Sequence, residues 1–168
     1  MTRRLRWGLA LLLLVACIAQ AKRAIDLLRA QRLLWAVEAR TLALIRSRTL
    51  SREHVDAHLE ALRDAAALDR AEVAVRVAIG SQLFLRGDFD GAVRQYEDSL
   101  ALEPRPEIYL NMAKARQAQG KISDARRLYA TALRVDPTLA DEVPEEMREG
   151  VSETLRRQDD ANRAQQDR

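Results

Sequence analysis

The chain of 168 residues contains one cysteine, two histidines, four prolines, six glycines and seven aromatic residues. Each scarcity excludes something. A lone Cys17 permits no intrachain disulfide and no cysteine metal cluster. Ala, Leu and Arg dominate and apolar residues recur at helical spacing, which leaves an all-α fold and disfavours any sheet. No nucleophile elbow, phosphate-cradling glycine loop or zinc-protease helix occurs, so the sequence offers no enzyme chemistry and no cofactor site. A basic folded domain is missing as well. Residues 1–50 carry ten Lys or Arg against two acids, and residues 51–168 carry eighteen against twenty-three, so the net +3 divides into +8 and −5. That split argues against a nucleic-acid partner, which needs a basic face on the globular part.

What is present is a repeat. Gly87-Asp88-Phe89-Asp90-Gly91-Ala92-Val93 leads to Tyr96, Leu100, Leu102 and Pro104. Thirty-three residues later, Gly120-Lys121-Ile122-Ser123-Asp124-Ala125-Arg126 leads to Tyr129, Leu133, Val135 and Pro137. A fixed period of this size marks stacked helix pairs, because one short pair cannot bury its own apolar face. Small residues at Gly80, Ala92, Ala113 and Ala125 let helix backbones approach, and Tyr96 and Tyr129 fill the space between pairs. Gly87 and Gly120 suit a turn with positive φ, while Pro104 and Pro137 end the second helices.

At these residues the chain resembles the tetratricopeptide repeat family. The family's slots fall on Arg76, Ile79-Gly80, Leu83, Ala92, Tyr96 and Pro104, then on Tyr109, Met112-Ala113, Arg116, Ala125, Tyr129 and Pro137. Arg76 and Arg116 depart from aromatic slots, and the period is 33 rather than 34. The resemblance implies a short right-handed α-solenoid with repeats at 73–105 and 106–139. It also implies a concave groove for a protein partner, lined by Val77, Ser81, Phe84, Leu110, Asn111, Lys114 and Gln117. Phe84 would anchor an apolar side chain, and Asn111 and Lys114 would hold a backbone or a carboxylate. The alternative is that the long amino-terminal helix itself fills the groove.

Arg3, Arg4 and Arg6 precede an uncharged run from Trp7 to Ala21, which reads as a signal or membrane anchor over residues 1–21. Fifteen residues of helix measure about 22 Å, short of the roughly 30 Å hydrocarbon core, with Lys22 and Arg23 placed to snorkel. Ala19-Gln20-Ala21 is an acceptable cleavage site, and Leu14-Val15-Ala16-Cys17 resembles a bacterial lipoprotein box with Cys17 as the lipidated residue. The expectation is a retained single-pass helix in a bacterial inner membrane with periplasmic repeats, the lipoprotein and secreted forms being the alternatives.

No Gly or Pro interrupts Leu9 to Arg48, so one long helix is expected to continue through a membrane-proximal part, residues 22–50. Ser51 is placed to cap a helix over 52–68, in the degenerate repeat helix at 51–72, part of a worn first repeat over 39–72 that lacks the glycine turn and the proline. Asp69-Arg70-Ala71-Glu72 has the form of a capping box. His54 and His58 lie four apart on one helix face, a spacing that can present two imidazoles to a metal. No motif fixes a third ligand, so no metal site is assigned. Val143, Met147, Val151 and Leu155 form a narrow apolar edge on a capping helix over 140–157, followed by a polar tail, 158–168, expected to be disordered. The sequence therefore points to a membrane-anchored, non-enzymatic adaptor in the cell envelope. The alternative is a dedicated subunit of a membrane assembly such as polysaccharide export or secretion, and a metal-dependent activity at His54 and His58 is the remaining option.

Overall fold

The computed structural model describes the backbone of residues 3–68 and 72–166, and the side chains of 12–68, 72–161 and 163. The arginine side chains at positions 3, 4 and 6, and residues 69–71 of the capping box, lie outside that range. Among the described residues every regular element is helical: α1 (Arg3–Arg46), α2 (Arg52–Leu68), α3 (Val73–Arg86), α4 (Phe89–Leu102), α5 (Pro106–Ala118), α6 (Ile122–Val135), a 3-10 segment (Pro137–Glu142) and α7 (Glu145–Gln166). Consecutive helices pack antiparallel in pairs, and α1 also touches α3.

The repeat chemistry explains the pairs. A Cβ built on Gly80 would sit 2.6 Å from Tyr96 Cε1, so the α3 backbone lies directly against the tyrosine ring. Tyr96 and Tyr129 are almost wholly buried, as are Ala92, Ala113 and Ala125. Three turns share one hydrogen-bond pattern. The amides of Gly87 and Asp88 donate to Phe84 and Leu83, those of Gly120 and Lys121 to Gln117 and Arg116, and those of Arg48 and Thr49 to Ile45 and Leu44. This is the Schellman closure, which needs one left-handed residue. Gly87 and Gly120 supply it at φ 85° and 76°, and Arg48 supplies it at 56° without being glycine. The second helices stop at Leu102 and Val135, two residues before Pro104 and Pro137.

Ser51 caps α2 as expected, its hydroxyl accepting from the His54 amide at 3.3 Å. At α3 the cap is Glu72, whose carboxylate accepts from the Ala74 amide. The carboxy-terminal region differs from the sequence reading. Val143, Met147 and Val151 are buried against α6 as a cap should be. The helix then continues to Gln166, across 158–166, where the polar composition predicts disorder. Once its first turns are docked, each further residue adds a hydrogen bond without a new nucleation cost. Good helix formers and pairs such as Glu153 with Arg157 then carry it on.

The placement in a membrane is corrected. No helix among the described residues is long and apolar enough to cross a bilayer, which overturns the single-pass inner-membrane assignment. The apolar run stops at Lys22 and Arg23, and α1 goes on with Asp26, Arg29 and Arg32, so length is gained only by adding charge. Cys17 is exposed on this helix.

Candidate functional site

The candidate site follows from two helical stripes. On α5, Glu107, Asn111 and Lys114 recur at spacings of four and three, and so share one face; Leu110, Ala113 and Gln117 form the neighbouring stripe. The first stripe, together with Val77, Ser81 and Phe84 of α3, lines a groove of about 610 Å³. Its opposite wall is α1, through Val37, Glu38, Thr41, Leu42 and Ile45, and its floor includes Tyr96 and Ile108. The surface is largely apolar, with Glu38, Arg105, Glu107 and Lys114 as its charged groups.

Five of the seven residues expected in the groove are thus brought together: Val77, Ser81, Phe84, Asn111 and Lys114. Leu110 and Gln117 are not among its lining residues. Leu110 is buried with Tyr129, Val143 and Met147. The Gln117 amide donates to Glu146 of α7 at 3.2 Å and its carbonyl accepts from the Tyr129 hydroxyl at 3.0 Å. Leu110, Lys114 and Gln117 stand 33 residues after Val77, Ser81 and Phe84. Of the second repeat's concave positions, Leu110 and Gln117 are therefore the ones taken up by the carboxy-terminal region, while Lys114 stays on the groove and pairs with Glu142 of the 3-10 segment at 2.9 Å. Only the stretch facing α1 stays open.

Two groove hydroxyls are engaged within the fold. Ser81 donates to the Val77 carbonyl and lies 3.3 Å from the Tyr96 hydroxyl. Thr41 receives the Gln82 amide at 2.9 Å and meets His58 Nδ1 at 3.1 Å, a buried chain that joins α1, α2 and α3. Burial lowers the His58 pKa below the usual histidine value, opposed in part by the nearby Gln82 side chain. The two histidines are engaged separately, since the His54 ring turns to Ser51, 2.9 Å from its hydroxyl. Burial also pushes the Tyr129 hydroxyl up to about 12, with Glu146 adding to the effect. Phe84 is steadied by Phe89, ring centroids 5.4 Å apart.

The sequence reading brought the amino-terminal helix to this groove only as an alternative, as its occupant; the structure makes α1 a wall of it and leaves the space open. Val37 and Ile45 were visible as apolar positions, but periodicity along one helix does not say which distant helix it faces. Thr41 and Gln82 carried no signal of their own.

A profile of the tetratricopeptide repeat matches residues 83–142. Among solved structures, the chain is similar to a thermophilic TPR protein of Thermus thermophilus. The two are 26% identical with a TM-score of 0.53, over 66% of this chain and 53% of that one. The chain thus spans about half the length of that protein. No curated protein matches it. The helix pairs, the tyrosine packing and these two likenesses agree: residues 83–142 match the tetratricopeptide repeat, and the fold around them is similar to that of a tetratricopeptide-repeat protein.

Proposed function

We propose that the chain is a non-enzymatic adaptor that takes a segment of a partner protein into the groove between α1 and the first repeat. Tetratricopeptide repeats serve protein–protein interaction, and that much rests on the repeats themselves. The observation that carries the finer reading is the open apolar groove of about 610 Å³ floored by Tyr96 and Ile108. A site of that size suits one or two apolar side chains of a bound segment. Phe84 is its aromatic anchor, and Asn111 offers both a donor and an acceptor to a peptide backbone. The single-pass membrane part of the sequence reading falls with the correction above.

The test compares proteins that co-purify with the parent chain and with two variants. Phe84→Ala with Asn111→Ala alters the repeat wall. Ile45→Glu places a charge on the α1 wall at a side chain already 46% exposed, so folding is preserved. Loss of the same partner from both is expected. An unchanged set of partners with both variants folded overturns the groove.

A further inference from the structure

Among the described residues, the amino-terminal part of α1 buries nothing from 12 to 29, and the first buried side chain is Ala30. From Ala30 onward one face docks on α2 and α3 through Ala30, Leu34, Val37 and Thr41. The opposite face carries a second apolar pattern with a different period. Leu14, Ala21, Leu28, Trp35 and Leu42 recur every seven residues, and Ile18, Ile25, Arg32 and Ala39 recur every seven between them. This is a heptad seam over four repeats, with the first set at d positions and the second at a. In that register Ala30, Val37 and Leu44 are f positions, the ones pointing away from a partner helix. The docked face and the seam therefore do not compete.

We infer that this seam pairs with the same seam of a second copy, making the protein a dimer joined along α1. Leu14, Ile18, Ile25, Leu28, Trp35 and Leu42 are between 50 and 64% exposed in the single chain. Together they present on the order of 600 Å² of apolar surface, approaching the ~800 Å² per partner of a stable specific interface. Ile at a with Leu at d is the choice that favours two strands, and Ala21 and Ala39 allow the helices to come close. Arg32 is a single charged residue at an a position, which fixes register while lowering stability. The pairing leaves the groove residues of α3 and α5 free and reaches the α1 wall only at Leu42, the last position of the seam.

Sedimentation equilibrium of the full chain at tens of micromolar tests this. The expected mass is twice the 19.0 kDa of one chain. Ile25→Glu with Leu28→Glu, both at exposed positions, should halve that mass with the helical circular dichroism of the repeats retained. Leu27→Glu, on α1 but at a c position off the seam, should leave the doubled mass unchanged. A parent chain that sediments at single mass overturns the inference. So does a doubled mass that survives the seam variant, or one that Leu27→Glu abolishes equally. Flotation of a single-mass chain with anionic phospholipid vesicles would assign the seam to lipid instead, and also overturns it.

Discussion

The two well-formed repeats solve one packing problem in two ways. In the first, Tyr96 lies against a bare glycine, Gly80, with no room for a methyl group. In the second, the matching residue is Ala113, fully buried in the cluster that holds Tyr129. The hydroxyls diverge too, Tyr96 meeting Ser81 and Tyr129 donating to Gln117. The entry to the second helix also differs. Asp88 caps α4 by accepting from the Gly91 amide at 2.9 Å, while Lys121 offers α6 no side-chain cap. One period thus tolerates several local solutions, provided that each keeps a buried tyrosine over a small residue.

The strongest test of that difference exchanges the small residues. Gly80→Ala gains about 1 kcal/mol of helix propensity but forces a buried ring aside, at about 1–3 kcal/mol, so a net loss is expected. Ala113→Gly should lose about 1 kcal/mol by the opposite route, through backbone entropy and a missing methyl. Chemical denaturation measures both, and a stabilised Gly80→Ala chain would contradict the close approach.

The caps come next. Asp88→Ala should cost about 1 kcal/mol, and Lys121→Asp should gain about as much by giving α6 the cap that α4 already has. Equal responses to thermal melting in both directions would mean that the caps do not distinguish the repeats.

The comparison extends to the turn of the first pair, where Arg48 holds a backbone conformation that Gly87 and Gly120 adopt without strain. Arg48→Gly removes a left-handed penalty of about 1–2 kcal/mol and adds unfolded-state entropy, so a gain of at most about 1 kcal/mol is expected. A lower melting temperature for that variant would show that the arginine side chain itself matters.

The smallest effect is on pH dependence. A histidine whose folded pKa lies below its unfolded value binds protons more readily when unfolded. Stability is therefore full above the unfolded value near 6.5 and falls as the pH drops through it. His58→Gln should flatten melting temperature between neutral and mildly acidic pH, and a parent chain with no acid slope would refute the assignment.

Much of this fold was legible because repeats write it twice. Gly80, Gly87, Gly120, Tyr96 and Tyr129 each need a residue type at a fixed offset, and the offset shows without coordinates. Arg48 was illegible because nothing in an arginine announces positive φ, so the first pair looked as though it lacked its turn. Leu110 and Gln117 fall in the expected groove because their repeat positions are concave. Whether a cap covers such positions depends on α7, which lies outside the repeat. The apolar run at the amino terminus reads as a span because hydrophobicity alone does not separate fifteen residues in a bilayer from the uncharged first part of a longer helix that goes on with charge.

The buried link from Gln82 through Thr41 to His58 bears on how the groove is held. Apolar surfaces slide past one another by an ångström at little cost, whereas a relay of two hydrogen bonds accepts a single register. Because that relay fastens α1 to the repeats, the gap between the two walls has a set gauge. For the proposed adaptor role this means that a partner segment would have to match a fixed width, giving selectivity by size without any residue dedicated to rejecting the wrong segment.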